Sequence, residues 1–529
     1  VQRAPPVTIE DPPTRDRRKL LTRAVAFSAL FLVAYGVAFA TLRPVTSAAI
    51  GPDAAAPVIE FERLVAGQRL EGPLTQTSKP LLTAVYGLLY SAGHDWRPVA
   101  WAAIAAFALC VVLGTWLAGR LAGPISAGFV AIAFLLSPVF ILDVVLAYAV
   151  SWAVLAWLVA GLAASATRPR FGLATVALIV AALARPESLA VSAVACAGVL
   201  VTEILSRRGL SQAPPRAAYL VFLSFASIPI LMVHDQLLVG QPLYWLVTSQ
   251  INSLHARNLR TLVGMVLWMG HHVIRLWPLL PLAALGMVRL AIRRQWSTLV
   301  GIVGILGGTA SLLILAGVRG VDVSLRYLGP IDLGLIFVAG LGLANLDGPA
   351  IRRILPAIVT ARRGSAAITV LGGAVLGVVL APAWPLDGAV RSEVQREIAV
   401  HADAQRALAV IRSDLLNAPS WRGLAPVRAI SSHPLVVVPV SIRAQAVVDL
   451  DLPLGMVAYS YPTWLDPLLG RPAPVAYVFV DRRADKPALR YDLVEISAPT
   501  RIGPYLYVPL LIDRPEGFWV DRVEGAPAP

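Results

Sequence analysis

GPDAAAPVIEFERLVAG at 51–67, followed by SKPLL at 78–82, decides how this chain is read. The two stretches lie between an apolar run at 20–42 and another at 98–117, so Asp53 and Lys79 occupy the first connection between hydrophobic segments. The same layout continues outward, with further apolar runs at 124–142, 144–166, 171–184, 188–206, 217–233, 273–292, 298–317, 327–345 and 366–383. Runs of this kind mark helices in lipid, because hydrocarbon offers no partner to an open backbone, and the alternation of barrel strands is absent. The expected fold is therefore an α-helical polytopic membrane protein with about eleven spans.

Composition agrees. Of 529 residues 57% are hydrophobic and 14% charged, with mean hydropathy +0.71, which excludes an ordinary soluble domain. The net charge of +14 does not point to nucleic acid, because the arginines are spaced between apolar runs instead of forming one basic face. They read as orientation signals. With Arg15, Arg17, Arg18 and Lys19 on the cytoplasmic side, alternate connections carry Arg120, then Arg168 and Arg170, then Arg207, Arg208 and Arg216, then Arg289, Arg293 and Arg294, then Arg352, Arg353, Arg362 and Arg363. The N-terminus is then inside and the C-terminus outside. Lys79, Arg185, Arg257 and Arg326 fall on the outer side against this rule and become site candidates.

Residues 1–19 are expected to be a disordered cytoplasmic tail, 20–383 a transmembrane domain, and 384–529 a soluble extracytoplasmic α/β or α+β domain. The first apolar run lacks a small-residue cleavage site and reads as a retained helix. Outward regions are expected at 43–97, 234–272 and 384–529. The first carries amphipathic segments at 54–66 and 80–92 that would lie at the interface, with Val58, Phe61, Leu64 and Val65 on one side and charges opposite. In the third, strand-like runs stand at 426–440, 445–450, 474–480 and 504–512. Cys110 and Cys196 are too few for a disulfide framework or thiolate metal site, and no P-loop, dinucleotide glycine pattern or paired-cysteine motif is present.

A carboxylate directly after the first span, then an aromatic (Phe61), then Ala66 and Gly67, resembles the first outer loop of integral-membrane glycosyltransferases of the GT-C superfamily. SKPLL is similar to the Lys-Pro-Pro-Leu element of the aminoarabinose and protein mannosyl branches, with Leu81 in place of the second proline. Ala54 stands where some arabinosyl and mannosyl branches have a second Asp. Ala-Arg-Pro-Glu at 184–187 and Arg326-Tyr327 with Pro330 also resemble elements of these transferases. The resemblance implies a polyprenyl-phosphate-linked sugar donor, a glycan, lipid or protein acceptor, and a multi-pass protein of the inner (plasma) membrane with its active site outside.

The residues support that chemistry directly. Glycosyl transfer needs a base for the acceptor hydroxyl and positive groups for the departing phosphate. Asp53 is the candidate base; Lys79, Arg185, Arg326 and Tyr327 are the candidate donor-phosphate ligands. Glu60, Glu187, Tyr244, His255 and Arg257 are further substrate-binding candidates. Plainer readings compete: Asp53 as a helix cap, Lys79 reaching to headgroups, Arg185 pairing with Glu187 across a turn, Glu60 and Glu62 on a solvated helix face, and the 234–260 aromatics as an interfacial belt. Asp143 either faces the cavity or caps the next helix. His271-His272 reads as part of a surface helix, and Asp449-Leu450-Asp451 as a chance match to the metal motif of nucleotide-sugar transferases. No metal or cofactor is required by the sequence. A lipid or sugar transporter or flippase is the alternative, disfavoured because the outer charges cluster at span ends and no two related halves are evident.

Overall fold

The computed structural model describes residues 14–46, 50–70, 74, 77–166, 170–207, 222–244, 261–318, 325–343, 364–380, 387–417, 435–439, 444–449, 457–460, 475–481, 498–502, 505–512 and 518–524. Helices dominate up to residue 417. They are α1 (Thr14–Thr46), α2 (Pro52–Val65), α3 (Pro80–Ser91), α4 (Arg97–Ala122), α5 (Pro124–Leu135), α6 (Pro138–Val145), α7 (Val150–Ala164), α8 (Phe171–Ala184), α9 (Ser188–Arg207), α10 (Ser227–Leu238), α11 (Leu262–Arg275), α12 (Leu279–Ile292), α13 (Trp296–Val318), α14 (Gly329–Leu343), α15 (Gly364–Leu380) and α16 (Asp387–Asn417). α1 begins at Thr14, inside the stretch expected to be disordered; the rest of that tail lies outside the described residues.

Among the described residues three helices are long and apolar enough to cross a membrane, and five if two bent pairs are counted as single spans. Several others are apolar but shorter. The bends have local causes. α5 and α6 meet at 51° across Ser137-Pro138, where proline removes a backbone donor and holds Ser137 extended, at φ −66° and ψ 113°. α11 and α12 meet at 93°, so α11 is a separate helix where the sequence had suggested a long outer connection. Helix contacts are close where side chains are absent: a Cβ on Gly342 would overlap the Leu282 carbonyl, and one on Gly286 the Val338 carbonyl. These two glycines let α12 and α14 pack backbone to backbone, as lipid-embedded helices do. Large apolar side chains on α1, α8, α10 and α11, such as Leu32, Val176, Val233 and Leu267, are exposed. A bilayer would cover that surface.

The C-terminal part forms a six-stranded mixed sheet in the order β2-β1-β3-β6-β5-β4, from β1 (Leu435–Pro439), β2 (Val457–Ser460), β3 (Val475–Asp481), β4 (Thr500–Ile502), β5 (Tyr505–Ile512) and β6 (Phe518–Glu524). β1 is parallel to β2 and β3, whereas β3, β6, β5 and β4 pair antiparallel in turn. The run at 445–450, read from sequence as strand-like, is over its described residues a short helix, α17 (Ala444–Asp449). One apolar cluster joins the two parts: Ile50, Ala54, Val58, Leu82 and Tyr86 share it with Ala407, Ile411, Val447 and Val457.

That shared core corrects the reading of α2. Its charged face, expected in solvent, is covered: Glu60 is 4% exposed and Arg63 5%, whereas Val65 is 72% exposed. The Thr83 hydroxyl donates to Glu60 Oε2 at 2.7 Å, and Arg63 Nη2 donates to the Val457 carbonyl at 2.7 Å. Segments from α3 on one side and the sheet on the other replace water as partners of these groups.

Candidate active site

Asp53, Thr77, Lys79, Tyr148, Ala149, Val150, Arg185, Glu187 and Tyr327 line one cavity of about 300 Å³ including its mouth. Four connections, distant in sequence, deliver these groups, and each is held by identifiable contacts.

Asp53 stands in the first turn of α2. The helix starts at Pro52 with Gly51 as its cap residue, and no side chain caps it. Asp53 is the acidic residue of this first turn, beside the positive end of the helix, and it lines the cavity. Gly51 donates its N–H to the Leu146 carbonyl at 2.9 Å; a Cβ there would overlap the Tyr148 ring, so only glycine allows the approach. Lys79 caps α3 ahead of Pro80. Its Nζ lies 3.8 Å from Asp53 Oδ1, with the lysine side chain 7% exposed and the aspartate 24%. That separation exceeds a direct hydrogen bond, and Lys79 Nζ also donates to the Thr77 carbonyl at 3.5 Å. Ser78 donates its hydroxyl to Asp235 of α10, which fixes the loop ahead of Lys79.

Phe61 rests against Gly87, where a Cβ would fall on its ring. Gly87→Ala is accordingly expected to cost about 1–3 kcal/mol by overpacking and to shift α2 against α3, separating Asp53 from Lys79. Thermal unfolding of the purified variant checks the first effect.

Arg185-Pro186-Glu187 forms the turn between α8 and α9. Arg185 adopts an extended backbone, φ −147° and ψ 110°, as a residue before proline does. Its Nη2 pairs with Glu187 Oε1 at 3.3 Å, and its guanidinium carbon stands 5.3 Å from the centre of the Tyr327 ring. Burial pushes the Glu187 carboxyl up, and the adjoining guanidinium more than offsets this, so it titrates below its ordinary value. A depressed folded value contributes stability above the usual glutamate range and loses it as pH falls through the folded one. Acid unfolding of the wild type should therefore be steeper than that of Glu187→Gln, measured as unfolding temperature against pH in detergent.

Tyr148 follows a turn at which Ala147 has φ 54°. Asp143 does not line the cavity; its carboxylate accepts the Val150 and Ser151 N–H groups at 3.3 and 2.9 Å and caps α7. The Tyr86 hydroxyl donates to the Ala147 carbonyl at 3.0 Å. Tyr148 had no signal in the sequence, because a non-glycine residue with positive φ is not legible there.

The other candidates fall elsewhere. Glu60 is bonded to Thr83, away from the cavity lining. Tyr244 is buried at the end of a described stretch and is not among the lining residues. His255 and Arg257 lie outside the described residues, as does the side chain of Arg326, whose backbone belongs to the 3₁₀ turn Leu325–Leu328 carrying Tyr327. His272, read as part of a surface helix, is 5% exposed and meets Asp332 of α14 at 2.6 Å. Asp449 accepts from Trp96 Nε1 and Gln405 Nε2, both at 2.7 Å, a structural use. Among the described residues no group of three or more His, Cys, Asp or Glu could hold a metal ion.

No protein-family model matches the chain, and no curated protein matches it. Solved structures do. ArnT from Cupriavidus metallidurans bound to undecaprenyl phosphate aligns over 95% of this chain and 98% of its own, at TM-score 0.53 and 16% identity. The apo state of the same protein gives TM-score 0.52 and 15% identity over the same shares. An oligosaccharyltransferase from Archaeoglobus fulgidus, tethered to an acceptor peptide, reaches TM-score 0.48 at 11% identity over 86% of this chain and 69% of its own, too distant to add weight. The chain therefore shares its overall fold with ArnT.

Proposed function

We propose that the protein is a membrane glycosyltransferase that moves a sugar from a polyprenyl-phosphate donor to an acceptor hydroxyl at the outer face of the membrane. The observation that carries this reading is the convergence of Asp53, Lys79, Arg185, Glu187 and Tyr327 on one cavity. The fold-similar ArnT is bound to undecaprenyl phosphate, which supports a polyprenyl carrier.

In the proposed reaction Lys79 and Arg185, joined by Arg326, hold the donor phosphate, and Asp53 takes the acceptor hydroxyl proton. The acceptor oxygen bonds to the anomeric carbon as the carbon–oxygen bond to phosphate breaks, and the phosphate leaves with that electron pair. Positive groups in a site shielded from water stabilise the charge that develops on it. Glu187 is a second carboxylate in the cavity, but its Oε1 is engaged by Arg185, which favours a single inverting displacement by the acceptor oxygen, with Asp53 as its base, over a covalent sugar intermediate. Arabinose or mannose, passed to a cell-envelope glycan, is the substrate pair we would try first.

Membranes containing the protein, given radiolabelled polyprenyl-phosphate arabinose or mannose, should yield labelled acceptor and free polyprenyl phosphate. Movement of intact donor across the bilayer without cleavage would replace this reading with transport. Retained anomeric configuration in the product would overturn the single displacement and make Glu187 the candidate for a covalent nucleophile.

A further inference from the structure

We propose that Gln445, on the C-terminal helix α17, is a positioning residue for Asp53, acting through the backbone of Ile50. This rests on the reading of Asp53 as the base. The Gln445 side-chain carbonyl accepts the Ile50 N–H at 2.6 Å, from 395 positions further along the chain, and Ile50 is 1% and Gln445 3% exposed. A buried N–H that loses its only acceptor bears the full desolvation cost, so the bond is a strong local restraint.

Its position gives the restraint its effect. Ile50 and Gly51 donate in succession to two different parts of the molecule, Gln445 and the Leu146 carbonyl, and the Gly51 carbonyl accepts from Ala54 and Ala55 at 3.0 and 2.9 Å. The first turn of α2 is thus fixed from the C-terminal part on one side and from the α6–α7 turn on the other. Asp53 is the residue this turn aims. α17 is itself held at its far end, where Asp449 takes hydrogen bonds from Trp96, the cap residue of α4, and from Gln405 of α16. Such a bracket transmits a fixed distance, because both its ends are hydrogen-bonded to other elements.

The test uses the full chain in detergent micelles and compares Gln445→Leu, which keeps the side-chain bulk without an acceptor, with Gln445→Glu, which keeps the acceptor. Hydrogen–deuterium exchange should accelerate about tenfold at the amides of residues 50–55 in the leucine variant. The glutamate variant should exchange as the wild type does, and α4 amides should be unchanged in both. Sugar transfer from the radiolabelled donors should fall in kcat by about tenfold in Gln445→Leu with donor KM unchanged, and recover in Gln445→Glu. Unchanged exchange at 50–55 in Gln445→Leu overturns the proposal, as does unchanged kcat or failure of glutamate to rescue. Asp53→Asn, assayed alongside, separates the two layers: full transfer by that variant removes the base assignment while the exchange result still decides what Gln445 holds.

Discussion

Asp53→Asn should lower sugar transfer by about 10²- to 10⁴-fold, the range of a lost general base, with little change in donor KM. Asparagine preserves the size and the helix position but accepts no proton at neutral pH. The carboxylate it replaces occupies the first turn of α2, with Lys79 Nζ 3.8 Å from its Oδ1. In the proposed reaction it receives the acceptor's proton as the phosphate departs. The aspartate is 24% exposed, so the fold should tolerate the change, and an unaltered unfolding temperature would show that the loss is chemical. Turnover equal to the wild type would remove Asp53 from the mechanism.

Arg185→Ala should be the second large effect, a fall of about 10²- to 10³-fold in kcat/KM expressed mainly in donor KM, since charge-assisted contacts to phosphate are the strong ones. Two losses are mixed in that variant. Arg185 is 12% exposed and paired with Glu187, so its removal also leaves a carboxylate without its partner. The double variant Arg185→Ala/Glu187→Gln separates them: it should regain much of the unfolding temperature and none of the donor affinity. Lysine at 185 should rescue poorly, because an ammonium group cannot span Glu187 and the face of Tyr327 as the planar guanidinium does. Recovery of transfer in the double variant would reduce Arg185 to a structural turn residue.

The parts of the site that were legible before the structure share one property: each breaks a hydrophobic pattern. Asp53, Lys79, Arg185, Glu187 and Tyr327 interrupt apolar surroundings, where charge and hydroxyl are costly without a purpose, and all five line the cavity. Groups whose role is set by distant partners were not legible. Glu60 and Arg63 looked like a solvated face because their partners, Thr83 and Val457, come from other segments. His272 gave no sign of Asp332, sixty positions on. In the fold, long apolar runs translated into helices, but run length alone concealed the break at Ser137-Pro138 and the independent helix α11. The strand-like run at 445–450 became helix α17 because it is wedged between α2 and α16, and tertiary packing outweighs β-propensity in so short a piece.

The bond between Ile50 and Gln445 also bears on biogenesis. Its two ends are 395 residues apart, and contacts of such separation close late, once the intervening chain has been synthesised. A nascent chain in the translocon thus carries Asp53 long before α17 exists to steady it. Under the proposed function, competence for transfer would wait for the segment that carries α17.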